Sequence, residues 1–241
     1  MQNIKDIRGE NQAAYWNHRA TEYDSQYGQN TPTSKFKVQR KTDLIFRNGN
    51  IDPIEDSVLE IGCGTGAYTR EISLRLQNKL TAVDISPEMM AIAKTANPKV
   101  KFILMDARRL RFEQETFDAV ISTFLLQHVD TKLAIPEIYR VLKPKGKFVA
   151  IVPNILNPIH YFRAKGLLGE TSHSIDFHRW KWRQLLSSYE FTDIHVYPVE
   201  FTSPYIPESL AKISIKASSL LEKIPIVKEF AGSLIIAAQK K

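Results

Sequence analysis

A single cysteine, Cys63, in 241 residues leaves no partner for an internal disulfide and fits a reducing compartment. Long apolar runs are missing as well: stretches such as 234–238 are far too short to cross a bilayer. No charged stretch followed by an apolar run opens the sequence, so it reads as lacking a secretion signal, and the cytoplasm is the expected location. Repeats and low-complexity tracts are absent too. What is present is ordinary for one globular domain with an embellishment: 43% hydrophobic and 24% charged residues. The net charge of +7 raises the question of an acidic partner. Its basic residues cluster at 35–47 (Lys35, Lys37, Arg40, Lys41, Arg47) but recur at 140–147 and 179–183. That dispersal reads as solvated helix faces, and no specific nucleic acid is expected.

From residue 58 onward, short apolar runs alternate with helical patterns, as in a parallel sheet with crossover helices. Strands are expected at Val58–Ile61, Leu80–Asp84, Val100–Met105, Phe117–Thr123 and Lys147–Val152. The first four are nearly continuous in apolar residues, the signature of strands covered on both faces. Helices are expected at about 67–77, 87–96 and 131–142; the second has Ser86 as a cap and Pro87 in its first turn. Two later strands, Ile194–Val199 and Leu234–Ala238, end the chain as an adjacent pair. Residues 11–47 look helical, with Tyr15, Arg19 and Tyr23 at four-residue intervals. The expected fold is α/β: a Rossmann-like, doubly wound, seven-stranded sheet of five parallel strands plus a C-terminal two-strand ending. Residues 1–50 form a helical cap, 51–153 a cofactor-binding core, and 154–241 the acceptor-side segments, with an insertion before the last strand.

The most informative stretch is Val58-Leu-Glu-Ile-Gly-Cys-Gly-Thr-Gly66, a buried strand running into alternate glycines and then a helix. Glycine permits positive φ and close ligand approach, and the helix start offers unpaired N–H groups. Alone this is ambiguous, because Gly62, Gly64 and Ala67 also satisfy the dinucleotide fingerprint, and Asp84 could hold a ribose in either case. Glu60 breaks the tie. A carboxylate beside the loop repels a diphosphate and favours a ligand bearing an ammonium and a sulfonium. Asp106, in Met105-Asp-Ala107, can accept from an adenine amino group, and some 57 residues precede the first strand, unlike a dinucleotide domain that begins near its N-terminus.

In register, Val58–Gly66, Asp84, Met105-Asp106-Ala107, Phe117–Thr123 and Leu142-Lys-Pro-Lys-Gly146 resemble the successive motifs of class I S-adenosylmethionine-dependent methyltransferases. The similarity spans about residues 10–241 and is closest to the broad type 11 group, which includes ubiquinone/menaquinone-biosynthesis enzymes. The resemblance implies S-adenosylmethionine as cofactor and S-adenosylhomocysteine as product. It implies Glu60, Gly62, Gly64 and Gly66 around the methionyl part, Asp84 on the ribose, and Asp106 with the Ala107 amide on adenine. Met89 is a further cofactor-binding candidate, and Thr123 and Gln127, near the end of the fourth strand, read equally as cofactor-lining residues. Lys145 stands where many relatives have glycine.

Methyl transfer from a sulfonium is an in-line displacement that positioning can accelerate, so the absence of an evident catalytic dyad does not argue against an enzyme. His128, just past the fourth strand, is the best-placed base candidate, though holding its loop is the favoured role. Arg19 and Tyr23 read equally as a cofactor lid or as helix packing; Trp16 reads as packing. Cys63 is expected to point away from the ligand, and His178–Arg183 as a helix start with tryptophans tucked inward. Residues 154–178, with Tyr161, Phe162, Leu167, Leu168 and His173, are expected to form an apolar acceptor pocket, Tyr161 and Phe162 being the substrate-binding candidates. Residues 207–225 carry Lys212, Lys216 and Lys223 on one face and a Leu210–Ile224 stripe on the other. That pattern suits peripheral contact with a membrane surface, but packing of the stripe on the sheet is the favoured reading. The expected acceptor is a small or lipid-like molecule methylated on oxygen or carbon, and no metal is expected. Rivals are a tRNA or protein methyltransferase, a noncatalytic cofactor-binding subunit and an NAD oxidoreductase. Against the first, Ser122-Thr-Phe-Leu125 stands at the end of the fourth strand instead of the Asn-Pro-Pro-aromatic of amino-group methylators, no second cysteine is available for attack on a cytosine ring, and no appended RNA-binding domain is expected.

Overall fold

The structure is a computed structural model describing residues 12–27, 31–76, 79–164, 178–201 and 208–241. Two helices, α1 (Gln12–Tyr27) and α2 (Pro32–Gly49), precede the sheet. Thr31 starts α2 with a capping box: its hydroxyl accepts from Ser34 N and its own N–H donates to Ser34 Oγ, both at 3.1 Å, with Pro32 behind it in the first turn. Then follow β1 (Val58–Ile61), α3 (Ala67–Leu76), β2 (Leu80–Asp84), α4 (Pro87–Ala96), β3 (Lys101–Leu104), β4 (Phe117–Thr123), α5 (Thr131–Val141) and β5 (Leu142–Pro153). The chain continues through α6 (Pro158–Ala164), α7 (Arg179–Ser188), β6 (Phe191–Val199), α8 (Ala211–Leu221) and β7 (Ser233–Lys240), with 3₁₀ turns at Glu208–Leu210 and Val227–Phe230.

The seven strands form one sheet in the order β3-β2-β1-β4-β5-β7-β6. β1 to β5 are mutually parallel, whereas β7 enters antiparallel between β5 and β6. The two-strand ending is therefore a hairpin-like return that inserts the last strand beside β5 and leaves β6 at the edge. Two apolar cores cover the two faces. One gathers Ile135 and Ile138 of α5 with Trp182 and Leu186 of α7; the other gathers Ile45 of α2 with Ile72 and Leu76 of α3. β1 is buried throughout, as its apolar run demands, but β3 is at most half-buried and ends on an exposed Leu104, because it is the sheet's other edge and has one neighbour only.

Three local outcomes refine the sequence reading. Ser86 caps α4, its hydroxyl accepting from Met89 N at 3.1 Å. Lys145 has φ +63°, the left-handed conformation that glycine adopts without strain. In α7, Trp182 is wholly buried as expected, but Trp180 points outward at 59% exposure and stacks on His178. Two residues apart on a helix, the tryptophans cannot share one inward face.

Candidate active site

The strand order reverses between β1 and β4, which opens a crevice beyond their carboxyl ends. The glycine loop crosses it. Gly62 N and Cys63 N both donate to Val83 O, at 2.8 and 3.1 Å, folding the loop over the end of β2. All three glycines have positive φ, but they serve different ends. A Cβ on Gly62 would meet the Leu125 side chain at 2.8 Å. At Gly64 it would find only Met89 Sδ at 3.7 Å and Tyr23 Cε1 at 4.0 Å, so the missing side chain there leaves space for a ligand. At Gly66 it would strike Asn97 Nδ2 at 2.6 Å and Ala93 Cα at 3.0 Å of the neighbouring helix. Gly62 and Gly64 line the cleft; Gly66, which the resemblance placed around the methionyl part, is outside the described lining, and its missing side chain permits α3 and α4 to pack.

The cleft and its solvent-open mouth together span about 600 Å³. Asp84, at the end of β2, lines it, with Oδ2 accepting from Gly64 N at 2.8 Å and Oδ1 from Ser86 N at 2.9 Å. Burial pushes its carboxyl up, an effect these amides oppose. Asp106 and Ala107, past β3, also line the cleft. The Asp106 carboxylate is already engaged by Arg108, whose Nη2 donates to Oδ2 at 2.7 Å and whose backbone N donates to Oδ1 at 2.8 Å. Met89, Met105 and Val129 supply apolar wall, and Thr123 closes the end of β4. Among the described lining residues there are two carboxylates and neither lysine nor arginine.

Glu60 sits beneath the loop in the middle of the sheet, fully buried and outside the lining. Among the described residues neither carboxyl oxygen makes a hydrogen bond of regular geometry; the Thr69 hydroxyl close by interacts with the carboxyl without reaching that geometry. Burial pushes the Glu60 carboxyl up to about 8; the nearby Thr69 hydroxyl opposes the rise and the Asp84 charge adds to it. Cys63 is likewise buried and its thiol pushed up, first by burial and then by Asp84, the opposite of an activated nucleophile.

α1 forms the wall opposite the loop. Ser86 Oγ donates to Asn17 Oδ1 at 2.6 Å, tying this helix to α4, and Tyr23 lines the cleft. Trp16, expected to pack, lines it as well, edge-on to Tyr23 at 5.9 Å and to His128 at 4.9 Å. The seven-residue spacing of Trp16 and Tyr23 carried that signal, since two helical turns return a side chain to the same side. Arg19 is not among the lining residues; it donates to Tyr15 Oη at 2.6 Å and pairs with Glu22 at 3.8 Å. His128 faces the cleft, its backbone carbonyl accepting from Gln12 Nε2 and its Nε2 lying 3.2 Å from Gln127 Nε2. Gln12, Phe124 and Leu125 complete the wall. Phe124 has φ +55°, a conformation nothing in its sequence announces, and this strained position sits in the cleft.

Among the described side chains, residues 154–162 contribute nothing to that lining, while 165–177, with Leu167, Leu168 and His173, lie outside the described residues. Asn154 turns away, its Nδ2 donating to the carbonyls of Glu229 and Ala231 at 2.8 Å. Tyr161 and Phe162 form an exposed edge-to-face pair at 5.7 Å.

Residues 59–150 match the family model described as a methyltransferase domain. An uncharacterised protein of Methanocaldococcus jannaschii is 42% identical over 49% of this chain and 50% of its own length. A demethylmenaquinone methyltransferase of Leptospira interrogans is 37% identical over 52% of this chain and 59% of its own length. The chain thus spans little more than half the length of these curated relatives. Among solved structures, a Thermotoga maritima SAM-dependent methyltransferase, described as a possible histamine N-methyltransferase, superposes with a TM-score of 0.65 at 18% identity, covering 95% of this chain and 99% of its own. The [4+2]-cyclase SpnF superposes at 0.67 with 19% identity over 97% and 96% of the two chains. The motifs and the strand order agree with this match: residues 59–150 are similar to a methyltransferase domain, and the chain has the class I Rossmann-like fold.

Proposed function

We propose that this chain is an S-adenosylmethionine-dependent methyltransferase acting on oxygen or carbon of a small or lipid-like acceptor. The observation that carries the reading is the charge of the cleft. A glycine-loop crevice whose described lining holds Asp84, together with Asp106 that Arg108 engages from outside the lining, and no lysine or arginine of its own is hostile to a diphosphate and receptive to a cationic ligand. The residues present fit S-adenosylmethionine. The open side of Gly64 makes a cradle for the methionyl part, and the buried Glu60 carboxyl beneath it gains its charge most readily beside an ammonium. Asp84 is the acceptor for ribose hydroxyls, and Asp106 with the Ala107 amide for adenine, between Met89, Thr123 and Tyr23.

Bound there, the cofactor supplies a sulfonium-activated methyl group and a neutral thioether leaving group. The chain's own task is positioning and exclusion of water: Trp16, Phe124 and Leu125 wall the cleft against solvent, and the rigid ends of β1, β2 and β4 hold the polar groups in fixed directions. His128 is the residue able to take a proton from an acceptor hydroxyl or activated carbon. The names of the demethylmenaquinone relatives, and of a phosphoethanolamine N-methyltransferase from Caenorhabditis elegans that is 34% identical over 43% of this chain, support a small acceptor.

Titration calorimetry tests the reading. S-adenosylmethionine and S-adenosylhomocysteine are expected to bind and NADH not. Asp84→Ala is expected to weaken both sulfur ligands by roughly ten- to a hundredfold, the loss of a charged acceptor worth about 1.5–3 kcal/mol. Tight NADH binding with no heat from either sulfur ligand would overturn it.

A further inference from the structure

We infer that α8 and the 3₁₀ turn that follows it form a face that docks on the surface of an anionic phospholipid bilayer. The inference concerns where the protein sits, and it stands or falls separately from methyl transfer.

The first observation is that α8 is turned inside out. A helix on a water-soluble domain presents its apolar stripe to the core. Here Ser218 is the inward residue, 1% exposed, its Oγ accepting from Phe201 N at 2.9 Å and donating to Glu222 Oε1 at 3.0 Å. Ile213 and Leu220 point outward at 65% and 63% exposure. The cause lies underneath. Glu222 accepts from Arg40 Nη2 at 2.5 Å and from Glu200 N at 2.8 Å, and Lys41 pairs with Glu200, so α8 rests on a charged network that Ser218 helps to satisfy, with Ile215 half-buried beside it. The stripe that the sequence pattern assigned to the sheet is left in solvent.

The exposed apolar surface continues past α8. Ile224 and Ile226 are exposed, as is Phe230 in the 3₁₀ turn. Asn157 Nδ2 donates to Phe230 O at 2.9 Å, which fastens the start of α6 alongside, with its own exposed Tyr161 and Phe162. A series of large side chains this open marks an interaction surface, since soluble domains leave only a few hundred Å² of apolar area contiguous.

Charge identifies the partner. Both described acids of this stretch are engaged, Glu222 by Arg40 and Glu229 by Arg179 at 2.8 Å. Lys216 and Lys223 are exposed, and among the described residues neither makes an ion pair, nor does Lys228. Lys216 stands one turn from both Ile213 and Leu220, bordering the stripe. Protein–protein interfaces are depleted in lysine and centre on tyrosine, tryptophan and arginine. Aliphatic side chains edged by lysines, whose stems can lie along an apolar surface with the ammonium at the headgroups, fit an anionic bilayer. No described helix is long and apolar enough to cross a membrane, so the contact is a surface one.

Flotation of the full chain, without cofactor, with vesicles of phosphatidylcholine containing one third phosphatidylglycerol tests this. Binding is expected at 0.15 M salt, and much weaker binding to phosphatidylcholine alone. Lys216→Glu with Lys223→Glu is expected to lower affinity at least about twentyfold, at about 1 kcal/mol for each cation near the surface. Ile213→Ser with Leu220→Ser is expected to lower it more than tenfold, with unchanged circular dichroism and melting because both are solvent-exposed. Lys132→Glu, on α5, is the control and should bind as the parent. Absence of binding to anionic vesicles, or equal binding by the parent and both double variants, would overturn the inference. So would a parent dimer in sedimentation velocity that Ile213→Ser with Leu220→Ser dissociates, because a second copy would then be what covers the face.

Discussion

Glu60 is a carboxyl in the centre of a parallel sheet with no hydrogen bond of regular geometry to either oxygen among the described residues, and its protonation should be visible in the stability of the whole chain. In the unfolded chain it titrates near 4.5, whereas in the folded chain burial pushes it up to about 8. Between those values the folded form holds a proton that the unfolded form has released. Stability from this group is therefore complete below pH 4.5 and is lost progressively as pH rises through 8. A rise of that size corresponds to at most about 5 kcal/mol, a large share of the 5–15 kcal/mol that typically holds a domain together. Glu60→Gln removes the titration and leaves a neutral group of the same shape. Urea unfolding followed by tryptophan fluorescence at pH 5 to 9 should show the parent weakening with pH by several kcal/mol more than the variant. The variant should gain on it from about pH 5 and the difference should level off above about pH 8. Asp84, whose carboxyl burial also raises, titrates in both proteins and so cancels to first order in the comparison. Parallel stability curves for the two proteins across this range would refute the assignment of a neutral, desolvated Glu60.

The glycines give a second test: Gly66→Ala should destabilise by about 2–4 kcal/mol through overpacking on Ala93 and Asn97, and Gly64→Ala by only about 1 kcal/mol from its left-handed φ. Cofactor affinity by calorimetry should fall in the reverse order, and the same ranking for both properties would contradict the division of roles. Lys145→Gly relieves a non-glycine residue at φ +63° and is expected to raise the unfolding free energy by about 1 kcal/mol in urea melts; no gain would show that the turn is not strained. Binding to transfer RNA in filter assays should be weak and fall steeply between 0.05 and 0.2 M salt, because the basic residues are scattered. Nanomolar affinity at physiological salt for one particular transfer RNA would replace the small-molecule reading.

The elements legible in the sequence are those whose causes are local. A nearly uninterrupted apolar run such as Val58–Ile61 has only one economical environment, the middle of a sheet covered on both faces, and β1 is buried throughout. Ser86 and Pro87 start a helix by stereochemistry that needs no distant partner, and alternate glycines after a strand announce positive φ. Because the loop and the acids follow strand ends, the sequence alone places Gly64, Asp84 and Asp106 at one crevice, and all three line it.

What tertiary structure alone decided are the matters in which one segment's choice depends on another's. That β7 slips antiparallel between β5 and β6 depends on which edge is open when the last strand arrives, and Leu234–Ala238 pairs on both sides whatever its direction. Whether Trp16 packs or lines a cleft was settled by the Asn17–Ser86 hydrogen bond that docks α1 against α4. The orientation of α8 is the clearest case. Its periodicity correctly indicates an amphipathic helix, but which face turns inward is set by what lies beneath. With Arg40, Lys41 and Glu200 there, leaving those charged groups without polar partners would cost more than leaving Ile213 and Leu220 in water, so Ser218 turned inward beside the half-buried Ile215 and the Ile213–Leu220 side was left outside.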